Sequence, residues 1–276
     1  MIKNKLIILL VIFLLYNCEN SSKNNNIRYK SEKSDQQVNN EKNKDSLNDK
    51  DWNMISKLNQ DDHSRVKYLI IDEKNYNFDS LGNFVSLKGI DISGLDLANF
   101  PKQILLFNEL EVIIAYRNKF KEIPYGLCEL INIRKLNFDS NNINYLPSCL
   151  DNFTNLKTFL INNNSIEELP QSIGFLANLE IFELVDNNIE SLPSNFYKLL
   201  ELKHCNLQGN NLEYLSSEIG DLTNLEYLDV SNNKIKYLPN EVKSLENLKT
   251  LRISNNILSE ELINDLKKNM PKVKIR

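Results

Sequence analysis

Cysteine and histidine are the side chains best able to supply a nucleophile, a metal ligand or a redox centre, and this chain has few of them. It has four cysteines and two histidines in 276 residues. The spacings typical of zinc sites, Cys-x-x-Cys, a histidine cluster and His-Glu-x-x-His, do not occur. Gly-x-Ser-x-Gly and glycine-rich phosphate loops are also absent. The sequence therefore predicts no metal site, no cofactor and no catalytic residue.

Paired carboxylates are the other common source of acid–base chemistry, and they occur at Glu167–Glu168 and Glu260–Glu261. Both pairs fall in turns or at the start of a helix, where solvation explains them. The net charge is −4, with 25% charged and 41% hydrophobic residues, as in an ordinary soluble protein. This acidic net charge gives no support for the basic face that nucleic-acid binding usually needs. We expect neither a nucleic acid nor a small-molecule substrate as a partner.

The first cysteine, Cys18, directly follows a short apolar segment. Two lysines precede an apolar run at 6–16, which is too short for a membrane-spanning helix of about 20 residues. This order, ending in Leu15-Tyr16-Asn17-Cys18, resembles the signal peptide and a relaxed lipobox of bacterial lipoproteins. The resemblance implies that residues 1–17 are removed and that Cys18 is lipidated. The alternative is an ordinary secretory signal with an incidental cysteine.

A polar segment separates Cys18 from the rest of the chain. Residues 19–50 consist mostly of Asn, Ser, Lys, Asp, Glu and Gln, and such a segment cannot bury enough apolar surface to fold. Its charges are mixed in sign, which does not favour a polybasic contact with lipid headgroups. We predict that residues 18–50 are a lipidated cysteine and a disordered tether that holds the folded part away from the membrane.

The remainder of the chain repeats one pattern every 23 residues. The pattern reads Leu-x-x-Leu-x-Leu-x-x-Asn-x-Ile-x-x-Leu-Pro, with conservative variants and no insertion or deletion between copies. The copies begin at Leu87, Leu110, Ile133, Leu156, Leu179, Leu202, Leu225 and Leu248. This period and pattern resemble leucine-rich repeats, most closely the Ras-group type and its bacterial relatives. The resemblance implies a right-handed α/β solenoid with a curved parallel sheet on its concave face and short helical or 3₁₀ turns on its convex face.

The residue types fit that architecture. Two apolar positions separated by one residue share a face of a short strand, and a second apolar pair at i, i+3 suits a helical turn. About seven inward side chains per coil contribute roughly 1.5–3 kcal/mol each. Ordering the backbone of a coil costs about 1–2 kcal/mol per residue, which is more. One coil alone should not fold, so stability must come from stacking.

The repeated asparagine is predicted to be structural. Its amide can donate and accept hydrogen bonds at a tight bend, where an unpaired buried backbone group costs roughly 1–3 kcal/mol. This predicted asparagine ladder consists of Asn118, Asn141, Asn164, Asn187, Asn210, Asn233 and Asn256.

The chain outside the regular repeats is predicted to cap the two ends. Residues 51–86 form an N-terminal cap in which Asp51 begins a short helix and 66–71 is the strand of a degenerate repeat. Residues 87–258 are the repeats. Residues 259–276 form a C-terminal cap with a helix that starts at Ser259 and a short strand at 273–275.

The other three cysteines lie within the repeats. Cys205 occupies a core position, where a free cysteine acts as a small hydrophobe. Cys128 and Cys149 lie on adjacent convex limbs, and in an exported protein such a pair can form a disulfide. The sequence is compatible both with a disulfide between Cys128 and Cys149 and with two free thiols.

Side chains that point away from the core on the concave strands are the candidates for binding. Several of them are apolar, and the sequence predicts an exposed apolar cluster with a charged rim, which is typical of a protein-binding patch. The alternative is that β-branched and aromatic residues are there because they favour strands. The predicted binding residues are Val112, Ile114, Tyr116, Arg117, Lys135, Leu160, Ile181, Glu183, Val185, His204, Tyr227 and Asp229.

These features predict a non-catalytic, lipid-anchored envelope protein that binds another protein through its concave face, as in surface adhesion or host interaction. The membrane contact is the lipid on Cys18, in the outer membrane or at the cell surface rather than in the inner membrane. One alternative is a structural scaffold for envelope proteins, and another is an accessory protein or inhibitor that acts by occlusion. The fold alone does not decide among them.

Overall fold

The computed structural model describes residues 52–58 and 60–276, and it describes no side chains at 60–62. The predicted signal peptide 1–17, the lipidation site Cys18 and the tether 18–50 lie outside the described residues.

The described chain forms one sheet of eleven parallel strands in sequence order, β1 to β11. The strands are β1 Trp52–Met54, β2 Tyr68–Ile70, β3 Gly89–Asp91, β4 Val112–Ile114, β5 Lys135–Asn137, β6 Thr158–Leu160, β7 Ile181–Glu183, β8 His204–Asn206, β9 Tyr227–Asp229, β10 Thr250–Arg252 and β11 Lys274–Ile275.

The constant repeat period sets the register of the sheet. From β3 to β10 each residue pairs with its equivalent in the next repeat, as Leu136 does with Phe159. Equivalent repeat positions therefore form straight columns across the strands. The predicted solenoid built on one parallel sheet is confirmed.

Short 3₁₀ turns connect the strands on the other side of the core. In the regular repeats most turns begin directly after the proline of the Leu-Pro pair. The carbonyl of this proline accepts a hydrogen bond from the N–H of the residue three positions later. For example, the carbonyl of Pro170 accepts the N–H of Ile173 at 3.0 Å. Proline fits because its φ is already fixed near the helical value. The turns are Ile55–Lys57, Gln60–Arg65, Phe78–Asn83, Lys102–Leu106, Tyr125–Glu129, Ser148–Asn152, Gln171–Phe175, Ser194–Lys198, Ser217–Asp221 and Asn240–Ser244.

A continuous apolar core lies between the sheet and these turns. The middle residue of most strands is fully buried, as is at least one apolar residue in most of the turns of the regular repeats, for example Ile173 and Phe196. Phenylalanines from successive coils contact one another: Phe182 lies between Phe159 and Phe196, at ring-centroid distances of 5.8 and 6.1 Å. The core is therefore shared between coils, as the energetic argument for stacking requires.

The N-terminal cap differs from the sequence prediction. Residues Trp52–Met54 form strand β1 instead of a helix, and the 3₁₀ turns Ile55–Lys57 and Gln60–Arg65 follow. As a strand, this segment pairs with β2 and sets Trp52 against Tyr68, with ring centroids 5.5 Å apart. The two rings cover Gly89, where a Cβ atom would lie only 2.6 Å from Tyr68 Cδ1. The prediction of a helix was wrong because it counted local periodicity and could not include this packing.

The C-terminal cap consists of helix α1, Glu260–Asn269, followed by strand β11. The Ser259 hydroxyl accepts the N–H of Leu262 at 3.2 Å, and two glutamates lie in the first turn of the helix. Buried Leu266 closes the last coil from one side, and Lys274 and Ile275 pair with β10. These contacts cover an end that a regular coil would leave open to water.

The bends after β3 to β10 each use a residue in the left-handed region at one repeat position, directly before the ladder asparagine from β4 onward, and the bend after β3 has a second such residue, Asp96. Glycine, asparagine and aspartate tolerate this region best, but Arg117 and Ser140 also adopt it, at φ 55° and 54°. Their N–H groups donate to the carbonyls of Asp139 and Asn162 in the next coil, which holds the bend in place. The column is Gly94, Arg117, Ser140, Asn163, Asp186, Gly209, Asn232 and Asn255.

Candidate protein-binding surface

The concave face is formed by the first and third residues of each strand. These side chains point away from the core because the middle residue of the strand points into it. Nine of the twelve predicted binding residues occupy such strand positions, and Tyr116, Arg117 and Val185 follow shortly after a strand. The columns bring all of them onto neighbouring strands of one surface.

The sequence predicts an exposed apolar cluster on this face. The prediction that these side chains are exposed is wrong. Val112, Ile114 and Leu160 are only 4%, 5% and 1% exposed. Glu183 and Asp229, expected as part of the rim, are also buried. The reason is lateral packing: strands lie about 4.8 Å apart, so side chains in one column cover each other on the inside of a curved sheet.

The part of the surface that solvent reaches comes from other predicted residues of the same face. Seven of the predicted residues are partly exposed. They are Tyr116, Arg117, Lys135, Ile181, Val185, His204 and Tyr227.

Polar contacts connect the middle of this surface. The N–H of Asn162 donates to Asp139 Oδ1 at 2.6 Å, and its side-chain amide donates to Glu183 Oε2 at 3.0 Å. The other oxygen of Glu183 lies 3.1 Å from His204 Nε2. Asn162 therefore joins two carboxylates, and the imidazole of His204 faces the second of them.

The same chain of contacts continues to the next two strands. The ring of His204 stacks on Tyr227, with centroids 4.4 Å apart and planes 3° from parallel. The Tyr227 hydroxyl donates to Asp229 Oδ2 at 2.9 Å, and Arg252 Nη1 lies 3.5 Å from the same oxygen. We call this set the concave polar network; it consists of Asp139, Asn162, Glu183, His204, Tyr227, Asp229 and Arg252.

The network shifts the pKa values of Asp139, Glu183 and Tyr227. Burial and the charge of Glu183 raise the pKa of Asp139 to about 7, in spite of the hydrogen bonds from Asn162. Burial acts in the same direction on Glu183, but the contacts with His204 and Asn162 and the charge of Lys135 outweigh it and lower its pKa. Burial and the charge of Asp229 raise the pKa of Tyr227.

The raised pKa of Asp139 predicts a pH-dependent effect of Asp139→Asn on stability. The folded state holds this proton more tightly than the unfolded state, whose carboxyl titrates near 3.8. The contribution of Asp139 to stability therefore falls as pH rises from about 4 to about 7 and stays low above that. Asparagine carries no charge, so relative to wild type the variant should gain roughly 1–3 kcal/mol between pH 4 and pH 8.

Thermal unfolding of wild type and Asp139→Asn across this pH range measures the effect. Asn162 is the matching residue one coil later and accepts the N–H of Val185 at 2.7 Å, so an asparagine at 139 can keep the equivalent bond. Asp151→Asn, at an exposed position, is the control and should show no such trend. A constant difference between Asp139→Asn and wild type would contradict the prediction.

The N-terminal end of the concave face is aromatic. Trp52 and Tyr68 lie over Gly89, and the guanidinium of Arg117 lies 5.9 Å from the ring centroid of Tyr116. Trp52 and Tyr68 were not predicted as surface residues because they lie outside the regular repeats. The strand predicted at 66–71 was the available signal, since Tyr68 pairs with Gly89 as its equivalent in the next repeat.

All seven residues of the predicted asparagine ladder hold two coils together. In Asn141, for example, Oδ1 accepts the N–H of Phe120 at 3.1 Å and Nδ2 donates to the carbonyls of Ala115 and Phe138, both at 3.0 Å. The same donor and acceptor pattern recurs at Asn118, Asn164, Asn187, Asn210, Asn233 and Asn256.

A second set of asparagines, outside the predicted ladder, links the convex limbs. Each side-chain amide donates to a backbone carbonyl of the preceding coil, at 2.7–3.0 Å. The recurring Asn directly before the first apolar residue of a repeat was the signal in the sequence. These residues are Asn132, Asn155, Asn178, Asn224 and Asn247.

The convex turns also carry the cysteine pair. The structure joins Cys128 to Cys149 by a disulfide across two adjacent coils, with their Cα atoms 6.0 Å apart. Cys205 is free and buried, and burial raises the pKa of its thiol. Its position inside the core agrees with a packing role.

Replacing Cys128 and Cys149 together by serine should lower the free energy of unfolding by about 3 kcal/mol, because the bridge closes a loop and restricts the unfolded chain. In a domain of this size that corresponds to a fall in Tm of roughly 6–12 °C. Reductant should give a similar shift in wild type and none in the double variant. If wild-type protein takes up alkylating reagent at both cysteines without reductant, the bond is absent and the prediction fails.

No metal site or membrane span emerges from the part of the chain that the structure describes. Among these residues, no group of three or more His, Cys, Asp or Glu side chains is arranged to hold a metal ion. Within the same residues, no helix has both the length and the apolar character to cross a bilayer.

Comparisons with known proteins agree with the repeats and with the fold. Residues 194–269 match the family model described as a leucine-rich repeat region. A search of curated protein sequences gives no match.

Among solved structures, the chain is similar to the leucine-rich-repeat ectodomain of the Arabidopsis thaliana membrane receptor kinase GASSHO1/SCHENGEN3, solved in complex with CASPARIAN STRIP INTEGRITY FACTOR 2. The identity is 29% and the TM-score 0.64, over 75% of this chain and 25% of that one. The chain therefore spans about a quarter of that receptor chain.

Two further structures share the fold at lower identity. An internalin, inlF, from Listeria monocytogenes has 21% identity and a TM-score of 0.60, over 76% of this chain and 66% of that one. The Toll–Spätzle complex of Drosophila has 19% identity and a TM-score of 0.59, over 75% of this chain and 33% of that one.

Proposed function

We propose, from the leucine-rich-repeat fold of this chain, that it is an exported, lipid-anchored protein that binds another protein through its concave face. The observation that carries the proposal is the continuity of that face. In-register columns place partly exposed aromatic, aliphatic and charged side chains side by side over several strands. This mixture is typical of protein interfaces, where Tyr and Arg contribute much of the affinity.

Two of the similar structures support a protein as the partner, since each was solved as a complex with a protein ligand. The first is also the ectodomain of a membrane receptor, which agrees with export of this chain. The sequence order of apolar run, Cys18 and polar segment adds the lipid anchor to the proposal. Adhesion to a host or neighbouring cell is the role that this placement favours.

The partner is best sought by crosslinking in intact cells followed by mass spectrometry, and then by measuring its affinity for variants of the full chain. Ile181→Asp and Tyr116→Ala change partly exposed concave residues, and each should weaken binding at least about tenfold. Val112, Ile114 and Leu160 are unsuitable for this test because they are buried and their replacement would also affect folding.

Ile131→Asp is the matched control. Ile131 is 57% exposed and lies on the convex limb that precedes β5, so the same chemical change is made on the opposite side. It should leave both affinity and Tm unchanged. Equal affinities of Ile181→Asp, Tyr116→Ala and wild type for the captured protein would remove the concave face as the binding surface.

Lipid attachment has its own test. Labelled palmitate should be incorporated by the wild-type chain and lost in Cys18→Ala. Equal labelling of both proteins would show that Cys18 is not the anchor, while leaving the concave-face proposal standing.

A further inference from the structure

The C-terminal cap carries a concentration of positive charge that neither the core nor the concave polar network uses. Residues 267–276 contain five basic side chains and no acidic one, and all five are exposed. The net charge of the whole chain is −4 with these cations included, so this segment is opposite in sign to the rest of the molecule. We call this set the basic cluster; it consists of Lys267, Lys268, Lys272, Lys274 and Arg276.

Other lysines near this end of the solenoid are paired with carboxylates. Lys249 Nζ lies 2.6 Å from Glu226 Oε2 in the preceding coil. Lys243 Nζ lies 2.5 Å from Asp265 Oδ2 in helix α1, so the acidic residue nearest to the basic cluster along the chain already has a partner. Within the described residues, no member of the basic cluster has a carboxylate within ion-pair distance. The charge of the cluster is therefore not matched by ion pairs.

Local structural roles explain only part of this charge. Lys267 and Lys268 lie in the last turn of helix α1, where cations interact favourably with the helix macrodipole. Lys274 lies on the edge strand β11, where a charged side chain discourages pairing with another sheet. Lys272 and Arg276 lie outside both elements. A segment that served only these two roles could also contain acidic residues.

We propose that the basic cluster binds the anionic phospholipid headgroups of a membrane surface, as a second membrane contact besides the lipid on Cys18. The inference rests on the proposed function for its biological meaning, because that function places the chain at a membrane. Each Lys or Arg close to an anionic bilayer strengthens binding by about fivefold. Five such side chains at one end of the solenoid are therefore sufficient for a strong attraction that salt screens.

The residue types of the cluster favour headgroups over a structured partner. Four of the five cations are lysines, which act as flexible, hydrated point charges, whereas arginine provides the planar fork that recognises a carboxylate or phosphate in a fixed geometry. Residues 267–276 contain no aromatic side chain, and aromatic stacking is a usual feature of sites for single-stranded nucleic acid. Headgroups in a fluid layer require neither a fork nor a stacking platform.

The length of the chain before the solenoid permits both membrane contacts at once. Eleven strands at a spacing of about 4.8 Å place the two edges of the sheet roughly 50 Å apart. A segment of the length of the predicted tether, 19–50, spans up to about 100 Å when extended. The basic cluster is therefore within reach of the surface that would hold Cys18. It lies beyond strand β10, so this contact leaves the candidate binding surface on β4 to β9 uncovered.

Vesicle binding of the full chain with Cys18→Ala, which has no thiol to acylate at this position, tests the cluster without the lipid. Vesicles of phosphatidylcholine with about 30% phosphatidylglycerol supply the anionic surface, and vesicles of phosphatidylcholine alone are the neutral comparison. The chain should bind the anionic vesicles at low salt. Binding should be at least about tenfold weaker on neutral vesicles, or at about 0.5 M salt, where charges are screened within a few ångströms.

Removing three charges from the cluster should weaken binding to the anionic vesicles by about 100-fold. The variant combines Lys268→Gln, Lys272→Gln and Lys274→Gln, at exposed positions, in the Cys18→Ala chain. Arginine at the same three positions keeps the charge and should keep the binding, because the attraction depends on charge and not on a fixed geometry. Circular dichroism shows whether each variant is folded.

The matched control removes three exposed lysines from other coils and so has the same net charge as the glutamine variant. It combines Lys102→Gln, Lys121→Gln and Lys198→Gln, and it should lose no more than about threefold in binding. Equal losses in the two glutamine variants, or equal binding to anionic and neutral vesicles, would overturn the proposal. It is also overturned if heparin binds through the cluster while anionic vesicles do not, which would indicate a soluble anionic partner.

This test is independent of those for the proposed function. A failure to bind anionic vesicles would leave both concave-face binding and the lipid on Cys18 standing. A failed search for a protein partner, or equal palmitate labelling of wild type and Cys18→Ala, would leave the vesicle result unchanged.

Discussion

Asn187→Ala should lower the free energy of unfolding by roughly 2–5 kcal/mol, although it removes only a small polar side chain. Asn187 is 5% exposed. Its Oδ1 accepts the N–H of Ile166 at 3.0 Å, and its Nδ2 donates to the carbonyls of Ile161 and Val185 at 3.0 and 3.2 Å. Alanine leaves at least two of these buried groups without a partner, and each costs about 1–3 kcal/mol.

Chemical denaturation of the wild-type and variant chains measures this loss. Asn188→Ala is the matched control, because the neighbouring side chain is exposed and should cost less than about 0.5 kcal/mol. The prediction fails if the two alanine variants lose similar amounts of stability. A broader transition in Asn187→Ala would further indicate that coupling between the two coils has weakened.

Phe182→Ala should cost about 3–5 kcal/mol, because it opens a cavity in the middle of the core. Phe182 is fully buried and contacts Phe159 of the preceding coil and Phe196 of its own coil. Both coils lose packing when the ring is removed. The smaller change Phe182→Leu keeps much of the volume and should cost clearly less.

The control for this prediction is Phe175→Ala. Phe175 lies on the convex side and is 54% exposed, so removing its ring should change stability by no more than about 0.5 kcal/mol. Thermal and denaturant unfolding of the three variants give the comparison. Equal losses for Phe175→Ala and Phe182→Ala would show that the core does not depend on the aromatic contacts between coils.

Together these predictions separate the two parts of the repeat pattern. The ladder asparagine satisfies backbone groups at the bend, and the apolar residues supply burial. A repeat needs both, since neither hydrogen bonding nor packing within one coil outweighs the loss of backbone entropy. Variants at Asn187 and Phe182 test each contribution in the same coil, away from the caps.

Most of the fold could be predicted from the repeat period. Identical spacing forces each Leu, Asn and Pro to meet its counterpart one coil away, so the strand positions and the columns of the sheet follow from counting residues. The cap helix at Glu260–Asn269 could be predicted equally well, because Ser259 and the two following acidic residues are local signals for the start of a helix. At the N-terminus these local signals failed, since the strand at Trp52–Met54 depends on a contact with Tyr68 of the following strand.

The candidate binding surface was only partly predictable. The sequence shows which side of the sheet Val112, Ile114 and Leu160 occupy, because alternation along a strand is a local property. Their burial depends on the neighbours that strand spacing and curvature bring against them, and a pattern within one repeat does not contain that information. The concave polar network has the same origin, because Asp139, Glu183 and His204 lie in three different repeats and interact only once their coils have stacked.

The sequence by itself thus determined the repeat unit, the number of regular coils and the direction of each side chain, because these follow from periodicity and from residue chemistry within a single repeat. The tertiary structure alone decided which outward residues remain accessible, that Trp52 begins the sheet, and which charged groups share a buried environment. Burial and pKa depend on distances between coils, and those distances exist only in the assembled stack.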